Sequence, residues 1–173
     1  KQGDIESLER VINSFIIKKK KFLADPILDP IHYGFVESLN RYRKIRQKYP
    51  KIDILMGTGN LTELTDSDSA GVNAILMGIV SELSIKGVLV VQVGNHCRNS
   101  IKETDMARKL MFFAKKNRRL PIGIDDNLMC LTDRKPIRIS DNELEEIKSM
   151  IKDKNFRILL TSNGINIFNS DIH

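Results

Sequence analysis

Apolar residues recur at helical spacing in four segments of the first 118 residues of the chain. In the first segment, Ile5, Leu8, Ile12 and Phe15 would share one face of a helix. Short apolar runs stand between the segments and are typical of buried parallel strands. The pattern predicts helices over residues 4–21, 32–49, 67–85 and 100–117, and strands over 22–24, 52–56 and 88–93.

Helices and strands therefore alternate, which is the pattern of parallel strands joined by right-handed crossovers. The region supplies about three βα units, too few to close a barrel by themselves. Two architectures fit: half of a (β/α)8 barrel, or a small open sheet. The run over 88–93 is rich in β-branched residues, and we expect it to be a strand buried on both faces.

The chain changes character after Arg119. Residues 120–127 carry Pro, Gly and Asp and are predicted to be a linker. Beyond them, the pattern predicts short strands over 128–132 and 137–139, a helix over 141–152, and a hairpin of 156–161 with 164–168 around Asn163-Gly164. We therefore divide the chain into a first domain, 1–119, and the start of a small α+β module, 120–173.

Composition limits the possible partners. The net charge of +6 comes from basic clusters near predicted helix ends, where cations complement the helix dipole, so we expect no nucleic-acid partner. Two isolated cysteines predict reduced thiols, no metal site and a cytoplasmic location. No apolar stretch is long enough for a membrane span. The first residue is Lys, and we expect the chain to be a fragment of a longer protein.

Two polar residues follow predicted strands: Asp25 comes directly after the first, and Asn60 comes after the second and Gly57-Thr58-Gly59. Ligands of α/β folds gather at the carboxyl ends of parallel strands, so we expect these side chains to lie side by side at one rim. A carboxylate can accept two N–H groups from a 2-amino-pyrimidinone, the edge of a pterin or a guanine. The alternative for Asp25 is a turn residue before Pro26.

A second polar group follows the third predicted strand. Asn95, His96 and Arg98 precede the predicted helix that begins at Ser100, and cationic side chains beside free N–H groups make an anion site. The alternative is an ordinary polar surface loop. Asn73 stands among apolar residues of a predicted helix, so we expect it to bond a neighbouring loop rather than a ligand.

These motifs resemble one superfamily when taken in order. Asp25-Pro-Ile-Leu, then Leu55-Met-Gly-Thr-Gly-Asn60, then Asn73 within a helix resemble the C-terminal half of the pterin-binding TIM barrels. That superfamily contains dihydropteroate synthases and methyltetrahydrofolate–corrinoid methyltransferases. The dihydropteroate synthase-related proteins of methanogenic archaea are more similar still, through Asp68-Ser-Ala-Gly-Val-Asn-Ala74, Val93-Gly-Asn-His-Cys-Arg98 and Glu103-Thr-Asp-Met-Ala-Arg-Lys-Leu-Met111. The resemblance covers about residues 1–120, and the tail is similar to the small extra domain of those proteins.

The resemblance implies roles for single residues. Asp25 would hold the pterin ring, assisted by Asn60 and Gln92, and Asn95, His96 and Arg98 would meet the phosphates. Pterin would be a substrate, with no covalently bound cofactor. The implied reaction joins a dihydropterin pyrophosphate to an arylamine in tetrahydromethanopterin biosynthesis.

One departure from the synthase pattern affects this reaction. Synthases place Ser-Arg-Lys where this chain has Gly59-Asn60-Leu61, so the Lys that fixes pterin and substrate is missing. The alternatives are methyl transfer from an N5-methyl tetrahydropterin to a corrinoid protein, and a non-catalytic pterin-binding or scaffold module. As half a barrel, the chain is expected to be an inactive part of a transferase that needs the N-terminal half or a second copy of itself as partner.

Overall fold

A computed structural model of the chain describes residues 4–130 and 137–172. The fold is mixed α/β, which confirms the predicted class, and it divides into two compact units, Lys1–Cys130 and Leu131–His173. This division falls later than the boundary after Arg119 that composition suggested. Leu128, beyond the expected linker, still packs against the hydrophobic core of the first unit.

Five helices and two short strands build the described part of the first unit. They are α1 (Ile5–Ile17), α2 (Phe35–Lys48), β1 (Leu55–Gly57), α3 (Gly59–Thr62), α4 (Ser69–Glu82), β2 (Gly87–Leu89) and α5 (Ser100–Lys116), with a 3-10 turn at Asn95–Cys97 before α5. The four long helices agree with the predicted ones. The four-residue α3 was not predicted, since it is too short to show a helical period.

The strand segments pair in parallel and in chain order. Ala24 forms an isolated parallel bridge with Ile54, and β1 pairs with β2 so that Leu55 lies opposite Gly87. The strand predicted over 22–24 is thus a single bridged residue, and the one predicted over 52–56 lies slightly later. No closed barrel is present among the residues that the structure describes.

The prediction for residues 88–93 was wrong in two respects. The strand ends at Leu89, and the run is not buried on both faces: Leu89, Val91 and Val93 are 59%, 36% and 86% exposed. The physical reason is that β2 is an edge strand, with no described strand along its outer side. Both of its faces are apolar, and both are only partly covered.

The core of the first unit lies between the helices and the strand segments. Tyr42 and Ile45 of α2, Ile54 and Met56 of the strand region, and Leu76 of α4 are all fully buried. They come from the apolar stripes and runs that the sequence pattern predicted. The core therefore fixes the sheet against its helices and leaves the carboxyl ends of the strands free for a site.

Arg46 ties together the loops that precede β1 and β2. Its Nε donates to the carbonyl of Leu83 at 2.8 Å, and its Nη atoms donate to the carbonyls of Tyr49, Pro50, Ile52 and Ser84 at 2.9–3.4 Å. Main-chain carbonyls outside a helix or a sheet need such partners, and a charged donor makes a strong one. One side chain thus joins the end of α2 to the end of α4.

We predict that Arg46→Ala lowers the free energy of unfolding by about 3 kcal/mol, because several partly buried carbonyls lose a charged donor together. Urea unfolding followed by circular dichroism measures the change. Arg43→Ala is the matched control: Arg43 is exposed on the same helix, so its removal should change stability by less than about 0.5 kcal/mol. Equal effects of the two substitutions would contradict this role of Arg46.

The described part of the second unit contains one helix and one hairpin. Helix α6 (Asp141–Met150) begins with a capping box of Ser140 and Glu143, and β3 (Arg157–Thr161) pairs antiparallel with β4 (Gly164–Phe168). This confirms the predicted helix and hairpin. The other two predicted strands are not seen: residues 128–130 form no strand, and residues 131 and 132 lie outside the described residues. Over 137–139, Ile139 makes a single main-chain bond to Leu160.

Candidate functional site

A cavity of about 370 Å³ opens at the carboxyl ends of the strand segments. Each segment contributes to it: the first through Asp25 and Ile27, the second through Gly57 and Asn60, the third through Leu89 and Val91. The structure therefore brings Asp25 and Asn60 to one cavity, as their positions after successive parallel strands predict. Gly57 faces open space there, since a Cβ built on it meets nothing within 4 Å.

Only one oxygen of the Asp25 carboxylate accepts hydrogen bonds from other described residues. Its Oδ1 accepts from the main-chain N–H of Ile27 and from the hydroxyl of Tyr42, both at 2.9 Å. Burial, and then the charge of Asp25, raise the pKa of Tyr42 well above its usual range, so this hydroxyl stays protonated and donates. No described residue donates a hydrogen bond to Oδ2, which leaves this oxygen to a ligand.

The loop that carries Asp25 is held by Arg41 from α2. The Nε of Arg41 donates to the carbonyl of Pro26 at 3.1 Å, and its Nη2 donates to the carbonyl of Ile27 at 2.8 Å. The same Nη2 makes a 2.6 Å ion pair with the buried carboxylate of Asp29. These contacts fix the loop in one conformation, so the direction of the Asp25 carboxylate is set before any ligand arrives.

Ile27 has a left-handed main-chain conformation, with φ at +64°. Such a conformation is unusual for a β-branched residue and costs of order 1–2 kcal/mol. Strain of this kind persists where surrounding contacts impose it, and it clusters at functional sites. Here the hydrogen bonds of Asp25 and Arg41 impose it.

The side chain of Asn60 likewise has one atom bonded within the chain and one atom open to the cavity. Its Nδ2 donates to the carbonyl of Leu28 at 2.8 Å, and its Oδ1 accepts no hydrogen bond from a described residue. The preceding Gly59 packs against the segment after β2, where a Cβ would lie 2.4 Å from Cγ2 of Val91. The glycine is thus required by packing within the chain.

Glu63 lines the same cavity and was not identified from the sequence. Its Oε1 accepts from the N–H of Val93 at 2.8 Å, and its Oε2 accepts from the N–H of Gly94 at 2.7 Å. The Val93 bond first, and the Gly94 bond second, hold the pKa of Glu63 below its usual range. A partner thirty residues away gives no local sequence signal, so only the fold shows this contact.

The residues predicted to meet pterin or phosphates after β2 are dispersed. Gln92 does not line the cavity with Asp25: its Oε1 accepts from the N–H of Ile101 in the first turn of α5. His96 donates from Nε2 to the carbonyl of Thr62 at 3.1 Å. Asn95 and Arg98 are exposed, and neither side chain bonds another described residue.

Asn73 lies at the centre of a buried polar network between α4 and α5. Its Nδ2 donates to Glu103 at 3.0 Å and to Ser100 at 3.4 Å, and its Oδ1 accepts from Thr104 at 3.2 Å. Ser69 donates to Glu103 at 2.6 Å and to the carbonyl of His96 at 3.2 Å. All three partners of Asn73 belong to α5, so the expected bond to a neighbouring loop is not seen, and Asn73 does not line the cavity.

A larger groove of about 540 Å³ lies on the opposite face of β2, between α4 and α5. Val88, Val90, Ile101 and Phe112 contribute apolar surface to it, and its Asp105 is paired with Arg108 at 2.6 Å. The groove thus offers mainly apolar area, and Asp105, Arg108 and Lys115 in its wall are bonded within the chain. We place the candidate site at the smaller cavity, where the polar side chains have open atoms.

Two further observations concern ligands and membranes. Over residues 4–130 and 137–172, no group of three or more His, Cys, Asp or Glu side chains could hold a metal ion. None of the helices in the same ranges is long and apolar enough to cross a membrane.

Cys97 is buried and Cys130 exposed, both as free thiols. Burial raises the pKa of the Cys97 thiol, which donates to the carbonyl of Thr62.

Comparison with known proteins found one informative relative. Over 138 residues, or 78% of this chain, the sequence is 39% identical to an uncharacterized protein of Methanocaldococcus jannaschii. That stretch is 26% of the relative, so the chain spans about a quarter of its length. No family model matches the chain, and no solved structure does. The relative's name gives no activity.

The conformation of Ile27 yields a test of strain at the site. We predict that Ile27→Gly is more stable than Ile27→Ala by about 1 kcal/mol, because both lose the side-chain contacts beyond Cβ and only Gly relieves the positive φ. Urea unfolding measures both variants. At Ile31, equally exposed but without a positive φ, Ala should be the more stable by about 0.5–1 kcal/mol. The same order at both positions would contradict strain at Ile27.

Proposed function

We propose that this chain is part of a pterin-binding barrel related to the dihydropteroate synthases, and that the cavity at the strand ends is its pterin site. The observation that carries this proposal is the pair of open polar atoms in one cavity, Oδ2 of Asp25 and Oδ1 of Asn60. A pterin ring presents an amino group and a ring N–H on one edge, and the open Oδ2 of Asp25 can accept from this edge.

The half-barrel part of this proposal is supported by the sheet. Three parallel strand segments follow one another in chain order, and the last, β2, has an unpaired outer edge among the described residues. Exposed apolar faces beside a free edge are where a further strand would pair. The missing βα units would come from another part of a longer protein, or from a second copy of this chain.

Condensation is the reaction that the family resemblance implies. The pterin methylene would form a C–N bond with an arylamine while its C–O bond breaks and diphosphate leaves. Asn95 and Arg98, which are exposed in the segment between β2 and α5, would then meet the diphosphate. The product would belong to tetrahydromethanopterin biosynthesis in an archaeal cytoplasm. We propose that this chain alone does not catalyse the reaction, since half of the barrel is lacking.

A second candidate, methyl transfer from an N5-methyl tetrahydropterin to a corrinoid protein, is favoured by the charge of the cavity. Asp25 and Glu63 line the cavity, and no Lys, Arg or His does. An anionic diphosphate would be repelled there, whereas a methylated pterin carries no such group. Asn60, next to the position of the missing synthase lysine, offers its open Oδ1 as an acceptor for a ring N–H.

The proposed pterin site predicts a loss of binding in Asp25→Ala. Calorimetric titration of the chain with a reduced pterin should show binding, and the variant should lose at least about 2 kcal/mol, the scale for a hydrogen bond to a charged group. Because Oδ1 also serves the fold, Asp25→Asn is the sharper variant: its Oδ1 still accepts from Tyr42 and Ile27, and its Nδ2 cannot accept from the ligand.

Tyr42→Phe is the control, since it removes one bond to the structural oxygen Oδ1 and leaves the carboxylate in place. It should lower stability and retain binding. Unchanged binding in both Asp25 variants would make Asp25 a turn residue only. Absence of pterin binding by the parent chain, tested again with the remaining part of the protein present, would refute the proposed site.

A further inference from the structure

The carboxylate of Glu63 occupies a position that is suited to an anion. The N–H groups of Val93 and Gly94 are consecutive, and they point at its two oxygens from 2.8 and 2.7 Å. Consecutive main-chain N–H groups that converge in this way form a concavity that binds anions in many proteins. In this chain the anion is supplied internally by a side chain from the end of α3.

The surroundings favour this arrangement. Gly94 has no room for a side chain, because a Cβ would lie 2.7 Å from Cε1 of His96 and 2.9 Å from Oε2 of Glu63. The glycine therefore permits the close approach of the carboxylate to the main chain. The two N–H bonds also favour the ionised form of Glu63, so the negative charge persists at neutral pH.

No Lys, Arg or His side chain lines the cavity as a counter-ion for Glu63. Outside the lining, attraction by His96 adds to the two main-chain bonds in lowering the pKa of Glu63. Asp25 is a second carboxylate in the wall of the cavity, and the remaining lining is apolar, amide or main-chain in character. A ligand that brings a phosphate group would face two carboxylates, and the main-chain donors that a phosphate needs are already taken by Glu63. Like charges brought together in this way are a strong discriminating element.

We propose that Glu63 is a specificity residue: by filling the concavity of Val93 and Gly94, it makes the cavity select an unphosphorylated pterin over a pterin diphosphate ester. This inference rests on the proposed function, because it concerns the ligand of the same cavity. Of the two candidate reactions, it favours methyl transfer over condensation. The cavity takes a pterin whose reacting group is not a phosphate ester, as methyl transfer requires.

Paired titrations test the role of Glu63. The 173-residue chain is titrated with a hydroxymethyl dihydropterin and with its diphosphate ester, and the ratio of the two dissociation constants is compared between parent and Glu63→Ala. The parent should bind the unphosphorylated pterin at least about tenfold more tightly. In Glu63→Ala this preference should fall at least about tenfold, because the concavity becomes available to phosphate.

Glu82→Ala is the matched control: it removes the same charge from the exposed end of α4, where Glu82 does not line the cavity. It should leave the ratio unchanged. Glu63→Gln provides a second variant should Glu63→Ala unfold, because it keeps the volume and one acceptor oxygen without the charge. A parent that prefers the diphosphate ester, or a ratio that Glu63→Ala and Glu63→Gln do not change, would overturn the inference.

Titration with inorganic diphosphate tests the role of Glu63 without a pterin, so failure of this inference can be told apart from failure of the proposed function. If neither pterin binds the parent, pterin binding fails, and the role of Glu63 is still decided by diphosphate alone. Gain of diphosphate binding by Glu63→Ala, absent from the parent and from Glu82→Ala, would show that the carboxylate keeps anions out. No gain would overturn that role as well.

Discussion

The first unit depends on side chains that satisfy main-chain groups beyond a very short sheet. β1 and β2 have three residues each, so the main chain on either side of them lacks ladder partners. Arg46 supplies donors to the loops before the strands, and Arg41 and Asn60 supply donors to the loop that carries Asp25. Glu63 supplies acceptors to the segment after β2. The strand ends are thus held by charged and amide side chains more than by the sheet.

This constraint also shapes the candidate site. A side chain that binds the main chain with one atom has its other atom held in a fixed direction, as Asp25 and Asn60 show. Their open oxygens are therefore positioned without a ligand, which reduces the entropy lost on binding. Glu63 differs, since both of its oxygens are bound. In the pterin site that we propose, Glu63 would contribute charge and exclusion, and Asp25 would contribute recognition.

The local pattern of apolar and polar residues was sufficient to predict the long helices and the hairpin of the second unit. Each of these elements is specified by residues within one continuous segment. The joint placement of Asp25 and Asn60 was also predictable, since both follow neighbouring parallel strands. The length and burial of β2 could not be predicted from the local pattern. Burial of residues 88–93 on both faces would need a further strand beside β2, and the structure describes none there. Glu63 and the strain of Ile27 were missed for a related reason: each arises from contacts between distant segments.

Affinity and selectivity need not come from the same part of the protein. Ligand pockets bury most of a small ligand, and this cavity is walled by an edge strand whose Leu89 and Val91 are still 59% and 36% exposed. A further strand beside β2 would add apolar area, and with it affinity. In the pterin site that we propose, the charges of Asp25 and Glu63 would discriminate between ligands, and both residues belong to this unit. Selectivity measured on this chain should therefore approach that of a complete barrel more closely than affinity does.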